Sequence, residues 1–320
     1  MHPEFIGWLQ YLGFPSPRLD PLTKSDPCRQ WYRLYDDDGT TRIVLDASRC
    51  PEVIPRMIND FLRLQEVGVP VATLRSFELP KGFALIDDAG LTTLDDMTDD
   101  SKRSALYIEA VNSILTIQQA PIDKMEAWDK IGLMQSLHGV MENYLKGVCR
   151  VAMGCADTKV CLDAFEVIAD ALMRQPQGVF VHGCLSPSAC KVQDDKVIVI
   201  RYGGARIGGA LYDFATLCAQ LRFEDHALYE RLRMHFCQTR KLDLDTGIFE
   251  MGVAFSLMYD RLLRLSSYAK GVMNGIETQR LQPMMAKALE EFVAMAENHA
   301  ELKAFKDYVS QPNLSLSCRC

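Results

Sequence analysis

The chain has 320 residues, a formal net charge of −7 and a pI near 5.5. This length allows two lobes with separate cores, and 48% hydrophobic with 24% charged residues is an ordinary globular balance. The acidic balance and the lack of Lys/Arg runs exclude nucleic acid as an expected partner. No apolar stretch reaches the roughly 18 residues of a membrane span, so we expect a cytoplasmic protein with no membrane partner.

The first ninety residues predict a small antiparallel sheet with one helix. Two β-prone runs flank the turn sequence DDDG and predict a hairpin over residues 30–46. Residues 54–64 carry apolar side chains at helical spacing, and the pattern stops at Gly68. Two further β-prone runs, VPVATLRSFEL and KGFALIDDAG, flank a turn at residues 80–82. This order predicts an N-terminal β-rich lobe over residues 1–88.

The remaining residues, 89–320, predict a mostly helical lobe, because several long segments repeat apolar residues with a helical period. One β island interrupts the helices at residues 178–205. It consists of GVFVH, a polar turn, and a hairpin closed on Asp194 and Asp195. The predicted fold class is therefore α+β, with a small antiparallel-sheet lobe followed by a larger helical lobe.

Eleven cysteines are scattered from Cys28 to Cys320, without a CxxC pair or a Cys/His ligand spacing. We interpret most of them as small buried hydrophobic residues in a reducing compartment. Cys318 and Cys320 in the tail sequence SCRC are the exception, because terminal residues are usually exposed. For these two, a functional thiol is the alternative to an inert one.

The ordered set of motifs from about residue 20 to 308 resembles the aminoglycoside phosphotransferase and choline kinase superfamily. The stretches that carry the resemblance are SDPCRQWYRL, RIVLDA, DFLRLQEVGVPVATL, GFALIDDAGLTTL, SALYIEAVNSILTIQ, VFVH and GGARIGGALYDFATL. Within that superfamily, the chain is most similar to the bacterial anomeric kinases of N-acetylmuramate and N-acetylglucosamine. The resemblance implies a protein-kinase-like two-lobe fold, in which the β island carries the catalytic loop.

The positions that carry chemistry in this family are replaced. The resemblance implies a catalytic Asp two residues after His182, an Asn five residues further, and a metal-binding Asp after the next hairpin. This chain has Cys184, Ala189 and Arg201 there. Phosphoryl transfer needs a positioned base and Mg²⁺, which prefers oxygen ligands, whereas these three side chains offer no oxygen. The catalytic set is therefore degenerate, with no metal residue assigned, and His182 is expected to pack and hydrogen-bond the loop.

Cys184 and the two aspartates Asp194 and Asp195 each have two interpretations, whereas Asp213 has a structural one. Cys184 is either a nucleophile, with only Lys191 as a nearby basic residue, or an inert replacement. Asp194 and Asp195 are either turn residues or metal ligands that have migrated from the usual position. Asp213 is expected to cap or brace the helix that follows it, as the resemblance implies.

Arg201 is either a solvated charge or ion-pair partner, or a fixed positive charge in the place of the metal, where its guanidinium suits phosphate or carboxylate. Backbone groups of Ile86, Asp87 and Asp88 are then left to read an adenine edge, so ATP without Mg²⁺ is the cofactor that this arrangement allows. The segment SDPCRQ, at the end of the first lobe that would bind phosphate, is poorly suited to do so. It is not glycine-rich, and Pro27 lacks a backbone N–H group that could donate to a phosphate.

Three functions follow from these observations. The first is a pseudokinase that binds a nucleotide, an anion or an amino-sugar ligand without phosphoryl transfer. The second is an active ATP-dependent amino-sugar kinase with a rearranged site. The third is a non-catalytic platform for a protein partner that keeps only the fold. We expect the first, because all three chemical positions are replaced together.

Overall fold

The computed structural model describes residues 3–22, 29–36, 38–242 and 245–311. The predictions on Pro27, Cys318 and Cys320 lie outside these residues. The chain divides into two compact units: unit 1 is Met1–Asp123, His182–Ala205 and Leu221–Lys241, and unit 2 is Lys124–Val181, Arg206–Gln220 and Leu242–Cys320. The lobe boundary predicted at residue 88 follows from the end of the predicted sheet, and it remains a prediction.

Unit 1 is built on a five-stranded antiparallel sheet in the order β1-β2-β3-β5-β4. Its strands are β1 (Arg18–Pro21), β2 (Gln30–Tyr35), β3 (Thr41–Asp46), β4 (Leu74–Glu78) and β5 (Phe83–Asp87). The hairpin predicted over residues 30–46 is β2–β3, and the second predicted hairpin is β4–β5. Its turn requires Gly82, because φ is +75° and a Cβ there would lie 2.6 Å from the Ala47 carbonyl oxygen. The antiparallel sheet predicted from the sequence is confirmed.

Both faces of this sheet are covered by a helix. Helix α2 (Val53–Glu66) was predicted, and its apolar side chains pack with Leu45, Ala84 and Ile86. Helix α1 (Pro3–Tyr11) was not predicted, and its apolar side chains pack with Val44, Phe83 and Leu85. Neighbouring residues of one strand thus belong to opposite cores, because side chains alternate between the faces of a strand.

Strand β1 was also missed in the sequence, since its proline-rich surroundings suggest irregular structure. It lies at the edge of the sheet and pairs with β2, with Arg18 opposite Tyr35. An edge strand tolerates Pro21, because the absent N–H need not join a ladder.

The remaining elements of unit 1 are a hairpin and three helices. They are β7 (Cys190–Gln193), β8 (Lys196–Val199), α3 (Asp100–Ile117), α7 (Leu221–Glu224) and α8 (His226–Arg240). The hairpin is joined to α3 by the Val197 N–H, which donates to Glu109 Oε1 at 3.1 Å. A hydrogen bond of 2.6 Å between Asn112 and His235 connects α3 with α8.

Unit 2 is mostly helical, with one short two-stranded sheet. Its elements are α4 (Lys130–Gly139), which continues as a π-helix over Val140–Val148, α5 (Cys155–Met173), β6 (Val179–Val181), β9 (Arg206–Gly208), α6 (Tyr212–Leu217), α9 (Thr246–Met273), α10 (Thr278–Ala296) and α11 (Lys303–Val309). The π-helical segment ends at Val148, and Arg150 has a left-handed backbone with φ +55°. Strands β6 and β9 are antiparallel, with Phe180 opposite Ile207.

The α+β fold class is confirmed by the sheet of unit 1 and the helices of unit 2. The core of unit 2 contains fully buried aromatic side chains from α5, the π-helical segment and α10, namely Phe165, Tyr144 and Phe292. Among the described helices, none is long and apolar enough to cross a membrane.

Candidate functional site

The candidate site lies in unit 1, in the loop and hairpin that follow His182. His182 is 2% exposed, and the Cys184 N–H donates to its Nδ1 at 3.3 Å. Because Nδ1 accepts this bond, the proton of the neutral ring is on Nε2. Burial lowers the pKa of His182 to about 4, the charge of Arg201 adds to this, and a hydrogen bond with the Ile200 backbone opposes it. The buried imidazole is therefore neutral near pH 7, and the packing role expected for His182 remains a prediction.

The two loop positions that are degenerate in the sequence differ in exposure. Cys184 is exposed, whereas Ala189 is fully buried in a single 3₁₀ turn. The Ala189 N–H donates to the Ser186 carbonyl at 2.8 Å, and its own carbonyl accepts from the Ile200 N–H at 3.0 Å. The buried methyl group of Ala189 offers no ligand atom.

Arg201 is exposed and has a left-handed backbone with φ +70°. For a residue other than glycine this conformation costs roughly 1 kcal/mol or more. The next residue holds it in place, because the Tyr202 hydroxyl donates to the Val199 carbonyl at 2.7 Å and accepts from the Ala72 N–H at 3.1 Å. The Tyr202 ring also packs edge-on against Phe61, with the ring centroids 5.5 Å apart.

Two residues of α2 hold the segment that follows. Asp60 Oδ2 accepts from the N–H groups of Gly203 at 3.0 Å and Ala205 at 3.2 Å. Arg56, one turn earlier, donates to the Ala205 carbonyl at 2.7 Å. Burial raises the pKa of Asp60, while these N–H groups and the charges of Arg56 and Arg63 counteract the increase. The segment from Gly203 to Ala205, just after Arg201, is therefore tightly fixed to α2.

Asp60 was missed in the sequence, although a signal for it is present. It is 5% exposed and lies among Met57, Phe61 and Leu64, which form the buried face of α2. A carboxylate on the apolar face of an amphipathic helix must have partners, because burying an unpaired charge is costly. The pattern therefore indicates a contact, but not that its partners lie more than 140 residues away.

Positive charge collects around Arg201. Lys191 donates to the Leu91 carbonyl at 2.7 Å. Burial lowers the pKa of Lys191, Asp88 opposes this, and the charges of Arg33 and Arg201 lower it further. Arg33 is neutralised by Asp88 at 2.6 Å, with both side chains mostly buried. Within the described ranges, no carboxylate forms an ion pair with Arg201, whereas Lys191 has the carboxylates of Asp88 and Asp96 nearby.

The residues expected to read an adenine edge lie at the end of β5. Ile86 is buried in the sheet, and the Asp87 N–H donates to the Thr73 carbonyl at 2.8 Å. The Asp87 carboxylate pairs with Arg75 through two hydrogen bonds of 2.8 and 2.6 Å. Asp88 is held by Arg33. The N–H of Asp87 is thus used by the fold, and adenine recognition by the other backbone groups remains a prediction.

The residues of this site do not fit Mg²⁺, which the kinase-like fold implies. A thiol, a methyl group and a guanidinium occupy the three family positions, and none supplies a hard oxygen ligand. Asp194 and Asp195 form the predicted two-residue turn with φ of +51° and +55°, and Asp195 pairs with Lys102 at 3.4 Å. In the described part of the chain, no group of three His, Cys, Asp or Glu residues could hold a metal ion.

Asp213 belongs to unit 2 and lies in the first turn of α6, where it is 1% exposed. The N-cap position is Leu211, whose side chain does not cap the helix. Asp213 is therefore not the N-cap, and its bracing role remains a prediction.

The cysteines largely follow the expectation of small buried residues. Of the seven reduced cysteines that the structure describes, four are buried, namely Cys149, Cys161, Cys190 and Cys218. Burial raises the pKa of the Cys161 thiol to about 12, so this thiol stays protonated. Cys50 is disulfide-bonded and is therefore not among the reduced cysteines.

Two curated proteins resemble part of the chain, while no protein-family model matches it. The N-acetylmuramate/N-acetylglucosamine kinases of Pseudomonas putida and Pseudomonas aeruginosa are 22% and 24% identical over 208 residues. Each match covers 63% of this chain and 60% of the relative.

Solved structures match more of the chain. A choline/ethanolamine kinase family protein from Mesorhizobium loti covers 91% of this chain and 93% of its own, with a TM-score of 0.65 and 11% identity. An aminoglycoside-3'-phosphotransferase of type VIII covers 79% and 98%, with a TM-score of 0.59 and 12% identity. The amicoumacin kinase hAmiN covers 94% and 97%, with a TM-score of 0.59 and 14% identity. The chain therefore has the protein-kinase-like fold of aminoglycoside phosphotransferases and choline kinases.

Proposed function

We propose that the protein is a pseudokinase: it binds a nucleotide phosphate or a related anion at Arg201, without Mg²⁺ and without phosphoryl transfer. The observation that carries this proposal is the fixed left-handed conformation of Arg201. Tyr202 holds the segment from one side and Asp60 from the other. A strained backbone persists only where its surroundings impose it, and such positions cluster at functional sites.

Charge supports the same proposal. In an active kinase, metal ions neutralise the phosphate oxygens. Here a guanidinium stands in that sequence position, with Lys191 nearby, and a guanidinium fork binds phosphate through paired hydrogen bonds. Since the positive charge belongs to the protein, anion binding should not require a divalent ion.

The comparisons indicate the class of ligand. The amicoumacin kinase hAmiN was solved with AMP-PNP and Ca²⁺, and the curated relatives are N-acetylmuramate/N-acetylglucosamine kinases. A nucleotide is therefore the first ligand to test and an amino sugar the second. The names of the relatives are equally compatible with the rival function, an ATP-dependent amino-sugar kinase with a rearranged site. Because the chain spans only 60% of their length, that activity does not transfer directly.

The test is calorimetry of ATP with EDTA present, for the wild type, Arg201→Ala and Arg231→Ala. Arg231 is an exposed arginine of α8 in the same unit, so its replacement controls for loss of one positive charge. Charge-assisted hydrogen bonds contribute roughly 1.5–3 kcal/mol, so Arg201→Ala should weaken binding about ten- to hundredfold. Arg231→Ala should bind as the wild type does, and added Mg²⁺ should not change the wild-type affinity.

A second measurement separates the rivals. ATP consumption is followed with N-acetylmuramate, N-acetylglucosamine, choline and an aminoglycoside in the presence of Mg²⁺. Turnover at the roughly 1–100 per second typical of kinases would establish the active-kinase rival. Absence of ATP binding by the wild type would instead leave the third function, a platform for a protein partner.

A further inference from the structure

A charged cluster lies in unit 1 where strand β5 ends, and it consists of Arg33, Asp88, Lys191 and Arg201. Arg33 and Asp88 form an ion pair of 2.6 Å, with only 14% and 6% of their side chains exposed. Lys191 of β7 donates to the carbonyl of Leu91, which follows Asp88 closely in the chain, at 2.7 Å. Besides burial, which lowers the pKa of Lys191, the charges of the other three residues also act on that pKa. The cluster is therefore compact.

The ion pair of this cluster lies on the face of the sheet that packs against α2. Arg33 is two residues from Trp31 in β2, and residues two apart in a strand share a face. Trp31 packs against the core on the α2 side, and Ile198 of the hairpin β7–β8 packs against the same core. Asp88 is on this face as well, because it pairs with Arg33. The pair therefore occupies the space on the hairpin side of the sheet, at the end of β5.

The carboxylate of Asp88 is fixed in this position by several donors. Arg33 donates from Nε at 2.6 Å and from Nη2 at 3.4 Å, and the Gly90 N–H donates to Oδ1 at 2.9 Å. The Thr41 side chain forms a further hydrogen bond with it. Burial raises the pKa of Asp88, but these hydrogen bonds outweigh burial and keep the pKa below its ordinary value. The pair is therefore charged at neutral pH and held in one arrangement.

A fixed ion pair at the end of β5 is a poor surface for a nucleobase. A base is an uncharged aromatic ring that gains affinity by stacking on aromatic or apolar side chains. At this place it would meet Arg33 and Asp88 and would have to separate or desolvate them. Separating a buried ion pair leaves uncompensated charges, and that cost exceeds what the stacking of one base contributes. The Asp87 N–H, a donor that an adenine edge would need, already donates to the Thr73 carbonyl at 2.8 Å.

We propose that the site at Arg201 takes a short inorganic phosphate chain, such as diphosphate or triphosphate, and that it excludes the nucleobase of a nucleotide. This inference rests on the proposed function, because it specifies which anion occupies the same site. The exposed guanidinium of Arg201 forms no ion pair with a carboxylate in the described ranges, so its fork is available to phosphate oxygens. The Lys191 ammonium has three N–H donors, and only one of them is needed for the Leu91 carbonyl. Asp96 balances part of its charge. Two neighbouring cations suit a ligand with more than one phosphate group.

Calorimetry of the full chain with EDTA present compares tripolyphosphate, ATP and adenosine. ATP and tripolyphosphate share a chain of three phosphates, so the difference in their affinities measures what adenosine contributes. The wild type should bind the two with affinities within about threefold of each other, and adenosine alone should not bind. ATP binding that is more than about tenfold tighter than tripolyphosphate binding would overturn the inference and leave the anion site at Arg201 in place. Binding of neither ligand would refute the proposed function, and this inference with it.

The paired change Arg33→Met with Asp88→Asn tests whether the ion pair is what excludes the base. Methionine keeps the chain length, and asparagine keeps an oxygen for the Gly90 N–H, so no unpaired charge remains. This variant should bind ATP at least about fivefold tighter than tripolyphosphate, because a base can then stack on an uncharged side chain.

The control is Arg233→Met with Glu230→Gln, which removes an ion pair of α8 in the same unit. Arg233 is 15% exposed, close to the 14% of Arg33, and this variant should keep the wild-type ratio of the two affinities. An unchanged ratio in Arg33→Met with Asp88→Asn would refute the role of the pair. Far-UV circular dichroism verifies folding, and if that variant does not fold, the wild-type comparison of ATP with tripolyphosphate decides.

Discussion

Replacing His182 with asparagine should make the free energy of unfolding less sensitive to acid. Burial is the main reason that the pKa of His182 is about 4, compared with an ordinary 6.5. Between these two values the unfolded chain binds a proton that the native chain does not bind. The stability contributed by the neutral imidazole is therefore complete above about pH 6.5 and is lost as the pH falls towards 4.

The size of this effect follows from the two pKa values. At about 1.4 kcal/mol per pKa unit, a decrease from 6.5 to about 4 corresponds to about 3 kcal/mol. Asparagine keeps an oxygen near the position of Nδ1, so it can still accept the Cys184 N–H. The smaller side chain lowers stability by an amount that does not depend on pH, and the pH slope is therefore the informative quantity.

The assay is urea unfolding followed by circular dichroism at several pH values between 7 and 4. Carboxylates titrate in both proteins, so the difference between wild type and variant isolates His182. The wild type should lose about 3 kcal/mol more than His182→Asn over this range. His226→Asn, which removes an exposed histidine of α8, is the control and should retain the wild-type slope. Equal slopes for the wild type and His182→Asn would refute the reasoning.

Two further predictions concern the supports of the site. Asp60→Ala removes the acceptor of two N–H groups, one buried and one partly buried, and should lower the free energy of unfolding by about 2 kcal/mol or more. Asp60→Asn keeps an oxygen and should cost less. Urea unfolding midpoints measure both costs, and equal costs would contradict the prediction. The paired change Asp194→Asn with Asp195→Gly provides the preferred residues of a type I′ turn and should leave the melting temperature unchanged or higher. If the two carboxylates were migrated ligands, the paired change would instead abolish any Mg²⁺-dependent thermal shift caused by ATP.

The sequence predicted the elements that local patterns determine. Hairpin β2–β3 and helix α2 follow from alternation, helical spacing and turn residues within short windows. The turn at Asp194 and Asp195 is equally local, because two residues with positive φ match the twist of a hairpin. Helix α1 was missed because nine residues beside a proline-rich stretch give too weak a periodic signal.

The supports of the candidate site were not predictable in the same way. Asp60 and Gly203 are 143 residues apart in the chain, and their hydrogen bond exists only in the folded protein. The pairing of the Trp128 segment with β9 likewise joins parts of the chain that are far apart in sequence. No short sequence pattern indicates it. Conversely, the three replaced positions were visible in the sequence, because the family motif fixes their spacing along the chain.

The three replacements do not have the same physical consequence. Relative to the residues that the resemblance implies, Cys184 removes a carboxylate charge and Ala189 removes a neutral amide, whereas Arg201 reverses the charge at the third position. A site that has only lost its catalytic residues needs no buried carboxylate to fix its backbone. Asp60 nevertheless lies on the apolar face of α2, where its burial is unfavourable. Its hydrogen bonds fix the segment after Arg201 without any metal. The conformation of this segment is therefore a property of the chain itself, fixed by Asp60 and Arg56 of α2.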